Sequence, residues 1–148
     1  MGGLLTNCSF HHVEVPCNDL VLAERFYSLT LGAEVYMRRD ANRRPKVPAA
    51  GTIAQAEAEG FQIDATYMKV GNRFRIGFLK REHHHDQHEV DHLAFTIDCG
   101  DLNRLARQLE QNDVEVIDTN SDRMLIRDPF GLILELWPRS VLERMGLL

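Results

Sequence analysis

Three side chains suited to metal binding, His12, His92 and Glu135, stand in segments with the composition of β-strands. Side chains alternate between the two faces of a strand, and in each segment the apolar residues take the face opposite the candidate ligand. Two imidazoles and one carboxylate form a facial triad that leaves positions open for water or substrate. The pattern therefore predicts a divalent metal site. Because alternation does not show that the strands are neighbours, a hydrogen-bonded structural histidine is the alternative for each imidazole.

The strands that carry these residues belong to an internal duplication. The stretches "HHVEVPCNDLVLAERFYSLTLGAEVY" and "DHLAFTIDCGDLNRLARQLEQNDVEVI" share a strand that opens on His, an Asp-Leu that starts a helix, and a short strand with Glu-Val. Each copy then continues into further strands, with turn sequences at residues 71–72 and 128–131. The sequence therefore predicts an α+β fold in which a strand, a helix and about three strands occur twice.

Helix caps and apolar spacing set the expected orientation of the two longer helices. Asp19 and Asp101 are predicted N-caps, and Gly32 is a predicted C-terminal stop. The stripes expected to face the sheets are Leu22, Phe26 and Leu29 in the first copy, and Leu102, Leu105, Ala106 and Leu109 in the second. Residues 38–66 interrupt the first copy with a basic stretch and a short helix near residues 49–59. This interruption is interpreted either as a lid over a cleft or as a solvated surface excursion.

Composition excludes several classes of function. The chain has 148 residues and a formal net charge of -5, which argues against general nucleic-acid binding, since that needs clustered positive charge. Its apolar stretches are too short to cross a bilayer, and no signal segment opens the chain, so we expect a cytoplasmic protein. The three cysteines form no pair at metal-finger spacing, which favours reduced thiols.

The segments "HHVEVPCNDLVLAERFY", "DHLAFTI" and "DPFGLILELW", in this order, resemble the vicinal oxygen chelate superfamily of glyoxalase I, extradiol dioxygenases, fosfomycin resistance proteins and bleomycin-binding proteins. The resemblance implies one domain over residues 1–148, built from two βαβββ modules whose strands curve into a cup with helices on the convex side. Module one would span about residues 8–81, module two about residues 90–138, and a C-terminal tail residues 139–148. The metal-ligand positions of the superfamily fall on His12, His92 and Glu135, and a homodimer is implied as well.

The resemblance also limits the reaction. The late strand of module one carries no acidic residue at the place where glyoxalase I has a fourth ligand, while retention of the triad argues against a passive drug-binding protein. We therefore expect an enzyme that uses Fe, Mn, Zn or Ni on a small, anionic, oxygen-chelating substrate, with dioxygenase-like chemistry first. Glyoxalase-like lyase or isomerase chemistry, fosfomycin-type addition of a thiol or water to an epoxide, and a metal-free binding module are the alternatives. Arg144 matches an arginine near the phosphonate of fosfomycin enzymes.

Glu14 is the candidate catalytic residue, because it shares the metal-facing side of its strand with His12. It would act as a fourth ligand or as a general base, and a salt bridge to Arg73 or Arg75 is the alternative. Further weak candidates for substrate binding are Arg73, Arg75 and Trp137. The run formed by His83, His84, His85 and His88 lies between the copies and is expected to be a solvated loop.

Overall fold

The computed structural model describes residues 12–45, 47–81, 90 and 92–145. The chain divides into two compact units, of which the first ends at residue 82 and the second begins at residue 83. The elements of unit 1 are β1 (Val13–Cys17), α1 (Leu20–Leu31), β2 (Glu34–Asp40), α2 (Ile53–Ala58), β3 (Ile63–Val70) and β4 (Phe74–Lys80). Those of unit 2 are β5 (His92–Ile97), α3 (Leu102–Glu110), β6 (Glu115–Thr119), β7 (Met124–Arg127), β8 (Ile133–Pro138) and α4 (Arg139–Arg144).

Each unit contains a mixed four-stranded sheet with the same connectivity. The strand orders are β1-β4-β3-β2 and β5-β8-β7-β6. In each sheet the first strand pairs in parallel with the fourth, and the other pairs are antiparallel. The predicted fold of two βαβββ modules is therefore confirmed. No helix in the described part of the chain is long and apolar enough to span a membrane.

Local capping agrees with the sequence prediction. The carboxylate of Asp19 accepts a hydrogen bond from the Leu22 amide, and Asp101 accepts one from the Arg104 amide, both at 2.9 Å. Gly32 ends α1 with φ of 61°, a conformation that costs glycine nothing. The two N-caps therefore fix the residue at which each helix begins after the strand that precedes it.

The face that α1 buries differs from the prediction. Leu22 and Leu29 are exposed, so their predicted contact with the sheet is wrong, whereas Phe26 is buried as expected. The buried residues of α1 are Leu20, Ala23, Phe26 and Tyr27. Tyr27 packs against Phe78 of β4 with ring centroids 4.6 Å apart. Both stripes have helical spacing, so spacing alone does not determine which one faces the sheet. In α3 the predicted stripe is buried at Leu102, Ala106 and Leu109, and half-buried at Leu105.

Residues 38–66 are docked beside α1 through a buried arginine. Arg38 forms two hydrogen bonds of 2.8 Å with the carboxylate of Glu24 on α1, and its side chain is 1% exposed. The same guanidinium donates to the carbonyl oxygens of Pro48, Ala49 and Gly51. The interruption is thus fixed on the α1 side of the sheet, because buried polar groups are stable only when they are hydrogen-bonded.

A second buried charge, Asp40, holds the first residues of the same interruption in place. Asp40 is fully buried, and its carboxylate accepts hydrogen bonds from the Arg44 guanidinium and from the amides of Asn42, Arg44 and Gln62. The Arg44 guanidinium, with help from these amides, holds the pKa of Asp40 well below its usual range. Three arginines of the basic stretch, Arg38, Arg39 and Arg44, are therefore paired with carboxylates and are not simply solvated.

Candidate functional site

In unit 2 the structure brings together two of the predicted ligands. His92 is the first residue of β5, and Glu135 lies on the neighbouring strand β8, opposite Ala94. The Nε2 atom of His92 and the Oε2 atom of Glu135 are 3.5 Å apart. Alternation places both on the face opposite the buried residues Leu134 and Leu136, as predicted. This pair offers one imidazole nitrogen and one carboxylate oxygen to a common ligand.

A basic residue that the sequence analysis missed lies next to this pair. Nη1 of Arg123 is 3.7 Å from Oε1 of Glu135, and Nη2 is 3.5 Å from Oδ2 of Asp118. Arg123 precedes β7 in a turn held by hydrogen bonds from the amides of residues 122 and 123 to the Asn120 side chain. Its charge explains how a half-buried Glu135 is tolerated in an apolar strand. No spacing rule links residues 123 and 135, so only the antiparallel register of β7 and β8 could have indicated the contact.

In unit 1 a second imidazole and carboxylate lie at the start of β1, since His12 directly precedes the strand and Glu14 is its second residue. Oε1 of Glu14 lies 3.4 Å from Nε2 of His12, and both side chains are about one-third exposed. The same oxygen accepts a hydrogen bond of 2.8 Å from the Tyr67 hydroxyl on β3, and the Tyr67 ring meets the His12 ring edge-on. Burial and the adjacent Glu14 carboxylate raise the pKa of Tyr67, so its phenol remains a hydrogen-bond donor at neutral pH. The predicted alternative, an ion pair between Glu14 and an arginine at residue 73 or 75, does not form in this arrangement.

Gly77 makes the contact between Glu14 and Tyr67 possible. It lies on β4, with Glu14 opposite on β1 and Tyr67 opposite on β3. A Cβ atom at this position would lie 2.8 Å from the Tyr67 ring and 3.1 Å from Cγ of Glu14. Glycine is therefore required here for space, and the two neighbouring side chains meet across it.

The other residues proposed to bind substrate take different positions. Arg75 lies two residues from Gly77 on β4, with its guanidinium 5.7 Å from the centre of the Tyr36 ring. Trp137 lies on β8 opposite Thr96 and is half-buried, and Arg73 is exposed in the turn before β4. Arg144 is exposed on α4, and its guanidinium donates to Oδ1 of Asp122 at 2.8 Å.

Each unit taken alone offers two donors rather than a complete metal site. No group of three or more His, Cys, Asp or Glu side chains that could hold an ion occurs among residues 12–45, 47–81, 90 and 92–145. The two pairs nevertheless fit a divalent ion chemically, since imidazole nitrogen and carboxylate oxygen are common ligands of such ions. The predicted loop of His83, His84, His85 and His88 lies outside the described residues.

Comparison with known proteins defines the family. The family model described as "Glyoxalase/Bleomycin resistance protein/Dioxygenase superfamily" matches residues 9–136. The chain belongs to this superfamily. The match covers both units and all three proposed ligands, and it confirms the resemblance that the strand and turn motifs indicated. No curated protein was found to match the chain in sequence.

Solved structures of superfamily members share the fold over nearly the whole chain. A mutant fosfomycin resistance protein from Listeria monocytogenes, complexed with Mn(II) and 1S,2S-dihydroxypropylphosphonic acid, has a TM-score of 0.66 and 12% identity and covers 95% of this chain and 99% of its own. A glyoxalase/dioxygenase from Nostoc punctiforme gives 0.62 and 16%, with 93% and 97% covered. The trypanothione-dependent glyoxalase I of Leishmania major gives 0.60 and 14%, with 91% and 89% covered. At these identities the likeness shows the fold alone.

Proposed function

We propose that the protein is a divalent-metal-dependent enzyme that acts on a small, anionic substrate through two adjacent substrate oxygens. The observation that carries the proposal is the His92–Glu135 pair, in which two ligand-type atoms face each other on neighbouring strands at 3.5 Å. The proposed ligand set is His12, His92 and Glu135. His12 joins the set because it precedes β1 of unit 1 as His92 opens β5 of unit 2.

The residues around the two pairs suit an anionic substrate. A bound divalent ion would polarise the substrate oxygens and stabilise the negative charge that develops on them. Arg123 in unit 2 and Arg75 in unit 1 are cations on or beside the strands that carry the proposed ligands, and each could bind a carboxylate or phosphonate group. The molecule bound to the Listeria protein, a dihydroxypropylphosphonic acid, is one example of an anion with two adjacent oxygens.

Two reaction classes are supported by the donor set. Cleavage of a dioxygenase type comes first, because two histidines and one carboxylate suit non-haem Fe(II). Isomerase or lyase chemistry of a glyoxalase type is the second candidate, favoured by the additional carboxylate of Glu14 beside His12. Fosfomycin-type addition receives less support, since Arg144, which would serve the phosphonate, is exposed and paired with Asp122. A homodimer in the cytoplasm is proposed on sequence grounds.

Metal content tests the proposal most directly. Wild-type protein purified without oxygen is compared by elemental mass spectrometry with His92→Ala and with a variant in which His83, His84, His85 and His88 are all replaced. We expect one metal ion per chain in wild type and in the loop variant, and none in His92→Ala. Metal that disappears only with the loop histidines, or that is never retained, would refute the proposed site and favour a metal-free binding module.

The identity of the bound metal would distinguish the two reaction classes. Iron would favour the dioxygenase reaction, nickel or zinc would favour an isomerase, and manganese is compatible with both. Thermal unfolding of metal-depleted His92→Ala and wild type provides the control for folding. Because His92 is exposed at 43% of its side-chain surface, the two proteins should unfold at similar temperatures without metal.

A further inference from the structure

In each unit the first strand pairs with the fourth strand, but the carboxylate stands on a different strand of this pair in the two units. In unit 2, β5 pairs in parallel with β8, and Ala94 lies opposite Glu135. In unit 1, β1 pairs in parallel with β4, and Glu14 lies opposite Gly77. Since His12 stands two residues before Glu14 and His92 two residues before Ala94, Gly77 is the counterpart of Glu135. The carboxylate of unit 1 therefore stands on the first strand, whereas the carboxylate of unit 2 stands on the fourth.

The side chain of Glu14 fills the space that a residue 77 side chain would take. A Cβ atom at Gly77 would lie 3.1 Å from Cγ of Glu14. Each unit thus carries one histidine near the start of its first strand and one carboxylate at the same cross-strand position. In both units one of the two facing residues is small, so that the carboxylate has room to reach the histidine.

The two pairs also have matching dimensions. The nitrogen–oxygen distances are 3.4 Å for His12 and Glu14, and 3.5 Å for His92 and Glu135. Two ligand atoms with bonds of about 2.0–2.2 Å to one ion lie roughly 3.0–3.5 Å apart, so both pairs are spaced for chelation. The Tyr67 hydroxyl donates to Oε1 of Glu14, which is the kind of support that ligating carboxylates receive from neighbouring residues.

We propose that Glu14 is a fourth protein ligand of the metal, the functional counterpart in unit 1 of Glu135 in unit 2. This inference rests on the proposed function, and it extends the ligand set to two histidines and two carboxylates. A fourth protein ligand would leave fewer open positions on a bound ion, which suits two substrate oxygens better than a substrate together with dioxygen. Glu14 as a ligand would therefore support the second of the two proposed reaction classes, the glyoxalase type, and Tyr67 would be the residue that positions Glu14.

Binding of Mn(II) to full-length protein tests the role of Glu14. Free Mn(II) is measured by electron paramagnetic resonance during titration of wild type, Glu14→Gln, Glu14→Ala and His92→Ala. Glu34→Gln is the matched control, because Glu34 is exposed on β2, at the opposite edge of the same sheet. We expect the Kd for Mn(II) to rise by at least about 10- to 100-fold in both Glu14 variants, the range reached even when only residues supporting a ligand are removed.

A second readout separates a ligand from a residue that only pairs with His12. At saturating Mn(II), the water-proton relaxivity of the bound ion should be higher in Glu14→Ala than in wild type, since water takes the vacated position. Unchanged affinity and relaxivity in the Glu14 variants, together with lost binding in His92→Ala, would refute the role of Glu14 and leave the proposed function intact. Equal Mn(II) binding in all variants, His92→Ala included, would refute the proposed function itself.

Discussion

Substitution of Gly77 by alanine should destabilise the protein for a reason specific to its two neighbours. The added Cβ would lie 2.8 and 2.9 Å from two carbon atoms of the Tyr67 ring. Carbon atoms pack best at about 3.5–4.0 Å, so the ring would have to move by roughly 0.7 Å. Forcing an extra methyl group into a packed site costs about 1–3 kcal/mol in the free energy of unfolding. Alanine in a strand interior is otherwise favoured over glycine by about 0.5–1 kcal/mol, so the expected loss comes entirely from the neighbours.

A double-mutant cycle measured by urea denaturation and circular dichroism checks this reasoning. In a Tyr67→Ala background the ring is absent, and Gly77→Ala should cost less than about 0.5 kcal/mol or become stabilising. In a Tyr67→Phe background the cost should persist, because the contact atoms are ring carbons. Gly100→Ala is the control, since a Cβ at Gly100 meets no atom within 4 Å. An equal cost of Gly77→Ala in the Tyr67→Ala and wild-type backgrounds would contradict the reasoning.

Two further predictions concern the interruption at residues 38–66. Arg38→Met should lower the free energy of unfolding by about 3–5 kcal/mol, because it leaves the half-buried Glu24 carboxylate, which also accepts a hydrogen bond from the Thr66 hydroxyl, without its charged partner. Arg39→Met, beside it on β2, removes a more exposed pair and should cost no more than about 1 kcal/mol; equal losses in urea denaturation would exclude a special role for Arg38. The lowered pKa of Asp40 predicts stability that is complete above about pH 4, its unfolded value, and is lost as pH falls toward the folded value. Asp40→Asn should lose most of this dependence of the unfolding midpoint between pH 5 and pH 2, and an unchanged slope would contradict it.

Much of the fold could be predicted from local sequence signals. The caps at Asp19 and Asp101 need only one side chain and an amide three residues later. The turn at residues 128–131 likewise depends on Asp128, whose carboxylate accepts from the amides of Phe130 and Leu132. The alternation of Leu132, Leu134 and Leu136 was enough to place Glu135 on the opposite face. These signals succeed because each one lies within a few residues of its partner.

The burial of Arg38 and Asp40 could not be predicted because it depends on contacts distant in sequence, although the Arg44 partner of Asp40 is only four residues away. Arg38 lies 14 residues from Glu24, and Asp40 lies 22 residues from Gln62. A run of arginines is ordinarily a solvated surface, and Arg38 becomes internal through its contacts with Glu24 on α1 and with the carbonyl groups of residues 48–51. The exposed side of α1 was wrongly assigned for a similar reason, since two apolar stripes have the same spacing.

The candidate site likewise has features that could be predicted from the sequence and features that could not. The face of each proposed ligand followed from alternation, which fixes orientation along one strand. The contacts of Glu14 with Tyr67 across Gly77 required the register of three strands, and the contact of Arg123 with Glu135 required that of two. Register depends on the whole sheet, so neither contact has a signature in a short stretch of sequence.

The positions of β1 and β5 in their sheets have a consequence for dynamics. Within the described part of the chain, each is the terminal strand of its own sheet and pairs with a single neighbour, β4 or β8. Terminal strands open locally at a lower free-energy cost than interior strands, and His12 and His92 move with them. An ion held by these histidines would raise the opening cost of both strands, by about 2.7 kcal/mol at 100 times its Kd. Amide hydrogen exchange in β1 and β5 would then be slower in the metal-bound protein than in the metal-free protein, while exchange in the interior strands β3 and β7 would change little.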